Sequence, residues 1–204
     1  RNEGTAGGGQ TVSDWTPGDA DTYDEADVQV FSNCDEVELF LNGKSLGVKP
    51  LPADASPFTW KVTYAPGTIK AVCKKQGKVV AEHELKTAGR PFRVQLSTDQ
   101  SMLVNDFDDA AILTAIIVDE NGIPCPNTDE VISFKLSGPG VINSVDNGML
   151  NSTESYKGSE RRAYKGRAVA VIQGLGKGKV EVVAKSPGLK DGVVSLEVSA
   201  AAKN

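Results

Sequence analysis

The chain has 204 residues, of which 39% are hydrophobic, and it carries a formal net charge of −5 at pH 7. This length allows one large domain or two small ones with packed cores. The acidic balance excludes the basic surface that nucleic-acid binding needs. No apolar run reaches the roughly 20 residues that span a bilayer, so we expect neither nucleic acid nor membrane insertion.

The first residues, RNEGTAGGGQ, lack the apolar core of a signal peptide. We interpret residues 1–12 as a disordered or cut N-terminal end within a longer polypeptide. In the acidic run 14–27, Asp19 and Asp21 are spaced like the start of a calcium-binding loop. Tyr23 stands where an EF-hand loop has an oxygen ligand, so we predict a solvated acidic loop without a metal.

Period-two alternation of apolar and polar residues dominates the chain that follows. Residues 37–47, VELFLNGKSLG, predict a strand, a tight turn at Asn42-Gly43 and a returning strand. The segment 67–75 alternates in the same way, whereas 112–118 is more continuously apolar and predicts a central strand covered on both sides. No segment shows a convincing helical period. Strands recurring about every 8–12 residues between turn signals favour an all-β fold of β-sandwiches.

A weak internal repeat predicts the domain boundary. Residues 67–85 are similar to residues 178–198, and each copy has the pattern of the last hairpin of a sandwich. The break then falls after the first copy, at the short linker TAGRP, residues 87–91. We predict two tandem immunoglobulin-like β-sandwich domains, at residues 13–88 and 89–204.

The residues that catalysis requires are sparse. His83 is the only histidine, so Ser-His-Asp and Cys-His arrangements lack partners, and we interpret its imidazole as structural or exposed. Glycoside hydrolysis needs two carboxylates about 5–10 Å apart across the sugar, and no pair of acids stands out. We therefore predict no catalytic residue and no cofactor in this chain.

Three cysteines, Cys34, Cys73 and Cys125, lie far apart without a C-x-x-C pair or a nearby histidine, so we expect no zinc site. A disulfide between Cys34 and Cys73 is one arrangement, and buried free thiols are the other. The odd number leaves at least one thiol unpaired within the chain.

Trp15 is the candidate carbohydrate-binding residue. It lies in a loop-like segment before the first strand, and the apolar face of a pyranose stacks on an exposed flat ring. The alternative is that Trp15 is a plug that packs the domain against whatever precedes it. Trp60 shares a strand face with Phe58 and Val62, which favours a core position. The basic cluster 161–167, RRAYKGR, is too small for nucleic acid and is a candidate partner for acidic loops of a neighbouring domain.

The order and spacing of these segments resemble a known family over nearly the whole chain after Gln10. SDW and two following segments resemble the Trp-bearing lead-in and the Ig-like domain that follow the catalytic barrel in bacterial β-galactosidases of glycoside hydrolase family 2. Two later segments resemble the C-terminal domain of those enzymes and, more loosely, the Ig-like repeats of bacterial surface adhesins. The segments are DVQVFSNCDEVELFLNGKSLG, PFTWKVTYAPGTIKAV, LSTDQSMLVNDFDDAAILTAIIVDENGIPCPNTDEVISFKLSGPGVINSVDNG and YKGSERRAYKGRAVAVIQ. Met149-Leu150 departs from the polar residue that the family often has after VDNG.

The resemblance implies that the catalytic glutamates lie in an upstream (β/α)₈ barrel, which nothing here matches. We therefore expect a non-catalytic C-terminal accessory pair of Ig-like domains of a family 2 glycoside hydrolase. Its partner would be the upstream catalytic barrel of the same chain, in a periplasmic or exported enzyme, with the oligomeric state of the parent left open. The alternatives are a stand-alone carbohydrate-binding module, which takes a glycan through Trp15, and an adhesin-like Ig spacer.

Overall fold

The computed structural model describes residues 12–18, 24–106 and 108–200. These residues contain fifteen β-strands and no helix, so the predicted all-β class is confirmed. The chain divides after Thr87 into two compact units, one residue before the predicted boundary. Of the predicted N-terminal end, residues 1–11 lie outside the described part of the chain. The described residues contain no helix that spans a membrane.

The N-terminal unit consists of two sheets with antiparallel pairing. One pairs β1 with β4, and the other has the order β3-β2-β5-β6. Alternation places Val37 and Leu39 of β2 on the inner face, where they join Phe58, Trp60 and Ile69 in the core. The strands are β1 (Glu25–Val30), β2 (Glu36–Leu41), β3 (Lys44–Pro50), β4 (Phe58–Thr63), β5 (Thr68–Lys75) and β6 (Lys78–Lys86).

The hairpin between β2 and β3 forms as its sequence predicts. Asn42 and Gly43 have φ values of 50° and 78°, the left-handed conformation that a type I′ turn requires at both central residues. The Asn42 side chain also ties the turn to the next hairpin. Its Oδ1 accepts from Thr68 N at 2.8 Å and its Nδ2 donates to Pro66 O at 3.0 Å.

The C-terminal unit packs a five-stranded sheet, β12-β10-β14-β15-β8, against a four-stranded sheet, β11-β13-β9-β7. Only the pair of β15 and β8 is parallel among its strand ladders. The two sheets share a core of small and branched apolar side chains separate from that of the first unit. The strands are β7 (Arg93–Thr98), β8 (Met102–Asn105), β9 (Ala110–Val118), β10 (Val131–Ser137), β11 (Gly140–Asp146), β12 (Glu160–Arg162), β13 (Arg167–Gly174), β14 (Gly178–Lys185) and β15 (Gly192–Ala200).

Strand β9 corrects one prediction. It lies between β13 and β7, so its central place within the sheet is confirmed. However, only one of its faces is fully covered: Leu113, Ala115 and Ile117 are buried, whereas Ile112 is 47% exposed. The continuous apolar run suggested cover on both faces, but each sheet of a two-layer sandwich packs on one side only.

Candidate functional site

Trp15 lies in the core of the N-terminal unit and is 6% exposed. Its Nε1 donates to Ala65 O at 3.0 Å, and its ring packs 5.2 Å from the Tyr64 ring at an angle of 50°. The Trp15 carbonyl accepts a hydrogen bond from Thr87 Oγ1 at 2.9 Å. The expectation of an exposed ring is therefore wrong, because apolar burial and an indole hydrogen bond hold the ring inside its own unit. Carbohydrate binding by Trp15 stays a prediction, and in this conformation the ring offers no face to a sugar.

Trp60 occupies the predicted core position and is 5% exposed. Its ring stacks on Phe58 with centroids 6.4 Å apart. Lys49 lies at the edge of the sheet, with its Nζ 5.3 Å from the Trp60 ring centroid. The aliphatic stem of a lysine covers apolar surface while its charge stays in water, so neither tryptophan of the chain presents a stacking surface to a sugar.

His83 lies on β6 opposite Ala71 in the strand register and is exposed. This confirms the interpretation of an exposed imidazole. Asp19, Asp21 and Tyr23, which we predicted to lie in a solvated acidic loop without a metal, are outside the described residues. Within residues 12–18, 24–106 and 108–200, no three His, Cys, Asp or Glu side chains are arranged to hold a metal ion.

A shallow groove of about 370 Å³ lies on the outer face of the four-stranded sheet of the N-terminal unit. Its only carboxylate, Glu82, lies 2.7 Å from Lys70 Nζ in an ion pair between two of the lining residues. Glycoside hydrolysis requires a second carboxylate on the other side of the sugar, so the groove lacks the groups for this chemistry. The lining residues are Phe40, Gly43, Thr68, Lys70, Val72 and Glu82.

All three cysteines are buried free thiols in the structure, so the alternative of free thiols holds there and Cys34 and Cys73 form no disulfide. Burial raises the pKa of the Cys73 thiol, and the adjacent Cys34 thiol adds to the rise. Burial and the negative charge of Asp119 raise the pKa of Cys125 to about 11. The thiolate is the nucleophilic form of cysteine, and the raised pKa values of Cys73 and Cys125 disfavour that form.

Asp119 is a buried carboxylate that anchors the start of the C-terminal unit. Its Oδ2 accepts from Gly89 N at 2.8 Å, and its Oδ1 accepts from Asn121 N and Ile123 N at 2.9 and 2.8 Å. Burial on its own would raise the pKa of Asp119, but the backbone donors, Gly89 foremost, outweigh it and hold the pKa below its usual value. This carboxylate fixes the linker residue Gly89 to the Asn121-Gly122 turn.

The loop of residues 147–159 joins β11 to β12 and is folded around Arg161; we call it the Arg161 loop. The Arg161 side chain has no exposed surface. Its Nη1 donates to Glu154 O at 3.0 Å and its Nη2 to Asn147 Oδ1 at 3.3 Å. Asp146 Oδ1 lies 3.4 Å from Nη2, Glu154 Oε2 lies 3.6 Å from Nε, and the Tyr156 ring centroid lies 5.1 Å from the guanidinium carbon.

Buried Asn147 completes the polar interior of this loop. Its Nδ2 donates to Arg162 O at 2.9 Å, and its Oδ1 accepts from Met149 N at 3.0 Å as well as from Arg161. The basic cluster 161–167 was a candidate partner for a neighbouring domain, and for Arg161 that interpretation is wrong, because its acidic partners lie within its own unit. The acidic and aromatic residues at 146, 154 and 156, shortly before Arg161, are the signal that could have indicated this.

Three comparisons place the chain among known proteins. Residues 94–195, half of the chain, match the family model described as glycoside hydrolase family 2 C-terminal domain 5. Residues 24–81 match a domain of unknown function, DUF4982. The two matches fall in separate structural units.

Among curated relatives, the beta-galactosidase BoGH2A of Bacteroides ovatus is 42% identical over 184 residues, covering 89% of this chain and 21% of the relative. A beta-glucuronidase of Formosa agariphila is 30% identical over 177 residues, covering 82% of this chain and 17% of the relative. This chain therefore spans about a fifth of the length of the curated relatives it matches.

Among solved structures, a glycosyl hydrolase family 2 member from Bacteroides cellulosilyticus superposes with a TM-score of 0.85 at 32% identity. The alignment covers 92% of this chain and 24% of that one. The family match over half the sequence and the structural agreement over nearly all of it lead to one conclusion: this chain belongs to glycoside hydrolase family 2 and forms a C-terminal, all-β region of that family.

Proposed function

We propose that this chain is the non-catalytic accessory region of a family 2 glycosidase with β-galactosidase activity, and that the upstream part of the same polypeptide carries the catalytic barrel. One observation carries the proposal: 89% of the chain aligns with only 21% of a beta-galactosidase. Most of that relative's length therefore lies outside the aligned region.

The chemistry of the described residues supports a non-catalytic role. The groove has a single carboxylate, which is neutralised by a lysine. Cys73 and Cys125 have raised pKa values, and the only histidine is exposed on an edge strand. Two units with separate apolar cores suit a structural role beside a catalytic domain.

One curated relative supports a β-galactoside as the substrate of the parent enzyme. The beta-galactosidase of Bacteroides ovatus is 42% identical to this chain, compared with 30% for the beta-glucuronidase of Formosa agariphila. This difference supports a β-galactoside as the substrate that we propose for the parent enzyme.

Hydrolysis of nitrophenyl glycosides tests the proposal. The full-length parent should hydrolyse the nitrophenyl β-galactoside faster than the β-glucuronide, and this chain alone should hydrolyse neither. Glu82→Gln in the chain is the matched control, since it removes the carboxylate of the groove. Hydrolysis by the pure chain that is lost in Glu82→Gln would overturn the non-catalytic assignment, and preference for the glucuronide would overturn the substrate.

A further inference from the structure

The Arg161 loop is held in place more firmly than a surface connection requires. Removing a guanidinium from water is unfavourable unless charges and hydrogen bonds compensate for the lost hydration. At Arg161 the loop supplies part of this compensation, through hydrogen bonds from Nη1 to the Glu154 carbonyl and from Nη2 to the Asn147 amide and through the Tyr156 ring. Among the described residues, the buried Nε has no hydrogen-bond partner and faces the Glu154 carboxylate at 3.6 Å. A single buried cation thus fixes the conformation of residues on both sides of the loop tip.

The tip of this fixed loop displays apolar side chains to solvent. Leu150 is 104% exposed, the most exposed large hydrophobic residue among those described, and Met149 beside it is 37% exposed. Ser152 N donates to Met149 O at 3.1 Å and closes the tip as a turn. Tyr156 is 53% exposed on the same loop. Exposed apolar side chains that are grouped on one loop are candidates for contact with a partner surface.

We propose that the Arg161 loop is a docking element, and that the part of the same polypeptide upstream of this chain receives Met149 and Leu150 in an apolar pocket. This inference rests on the proposed function. The matched family model is a C-terminal domain, and the chain covers only 21% of the beta-galactosidase relative, so most of such a protein precedes it.

The small size of the tip favours a partner within the same polypeptide. Two apolar side chains and one aromatic edge bury too little surface for a stable contact between separate molecules. A covalently connected partner is present at a high effective concentration, so a small anchor is sufficient to hold it.

Thiol labelling of the full-length parent tests the docking. Leu150→Cys introduces a thiol at the tip, and Leu175→Cys is the matched control, because Leu175 is also exposed and lies in the β13–β14 turn without a buried charge beneath it. The three native cysteines of this chain are buried, which keeps their background low. We expect maleimide to modify the thiol at 150 at least about tenfold more slowly than that at 175.

Equal labelling rates at the two positions would overturn the proposal. If slow maleimide labelling at 150 is lost on dilution, the contact is with a second copy of the protein. If labelling is slow only with added galactoside, the contact is with substrate. Either result overturns docking within the polypeptide. Nitrophenyl galactoside hydrolysis is measured on the same samples. An active parent with a freely labelled thiol at 150 refutes only the docking, whereas an inactive unaltered parent refutes the proposed function.

Leu150→Asp provides a second measurement that does not depend on thiol chemistry. In the full-length parent it should lower the melting temperature, because a carboxylate would be buried in the apolar pocket, and Leu175→Asp should not. In this chain alone both variants should melt like the unaltered protein, since both side chains are exposed there. Equal melting of both variants in the parent would contradict the docking.

Discussion

Two irregular segments are fixed to their sandwiches by one large buried side chain each, but by different forces. The lead-in of residues 12–18 is held by Trp15, an apolar ring with one hydrogen bond from its indole. The Arg161 loop is held by a cation with hydrogen bonds and ion pairs on several sides. Apolar burial is non-directional and contributes mainly stability, whereas a buried charge demands specific partners and so specifies conformation.

The largest expected effect is the loss of stability when Trp15 is replaced. Trp15→Ala should destabilise the N-terminal unit by about 3–5 kcal/mol, through lost transfer free energy and the cavity left behind. Urea unfolding followed by Tyr and Trp fluorescence measures this change. Trp15→Phe is the control, because it keeps an aromatic ring but loses the hydrogen bond to Ala65 O. If Trp15→Phe lowers the free energy of unfolding as much as Trp15→Ala does, the hydrogen bond and not the packing holds the lead-in.

Replacing Arg161 is expected to have a smaller effect on stability. Arg161→Met replaces the buried cation with an apolar chain of similar length, so unfolding should become easier by only about 1–2 kcal/mol. The loop should change more than the domain, because the Glu154 carbonyl loses its donor. Faster amide exchange confined to residues 147–159 would support the comparison, and uniform exchange throughout the unit would contradict it.

Asp119 is a second buried charge, and its contribution to stability depends on pH. The folded-state pKa of Asp119 is lowered, so its contribution to stability is complete above its unfolded-state pKa of about 4 and is lost as the pH falls through the folded-state pKa. The unaltered chain should therefore lose more stability than Asp119→Asn between pH 6 and pH 3. Urea midpoints at both pH values measure this, and parallel losses in the two proteins would exclude Asp119 as a contributor.

The smallest expected effect is in glycan binding. Because the Trp15 ring is covered within its own core, titration of this chain with galactan oligosaccharides should release no heat beyond dilution. Trp15→Phe should behave identically in the same calorimeter. Saturable heat that Trp15→Phe weakens would support the prediction of carbohydrate binding by Trp15 and show that the ring becomes accessible in solution.

Local patterns predicted the features that local physics controls. The Asn42-Gly43 turn follows from the backbone conformations that those residue types tolerate, and the core position of Trp60 follows from strand parity. The family resemblance added the order of the two units. These features depend on residues close together in the sequence.

Burial of Trp15 and Arg161 was not predictable in the same way. Trp15 is covered by Tyr64 and Ala65, about fifty residues away along the chain, and nothing near it indicates this. An arginine beside another arginine resembles a solvated cluster, and its burial is decided by how the 147–159 segment folds back. Ile112 was placed on a covered face because a run of apolar residues does not reveal how many layers pack on a sheet.

The parallel pairing of β15 with β8 has a consequence for how the C-terminal unit is made. Residues 197–200 pair with residues 102–105, nearly a hundred positions earlier, and β15 stands between β14 and β8 in its sheet. Topologies dominated by such distant contacts fold slowly, because the loop must close before its contacts form. During synthesis the first unit can fold as soon as β6 emerges. The second unit keeps an open sheet edge until β15 has been made. Chaperones would be needed most in that interval.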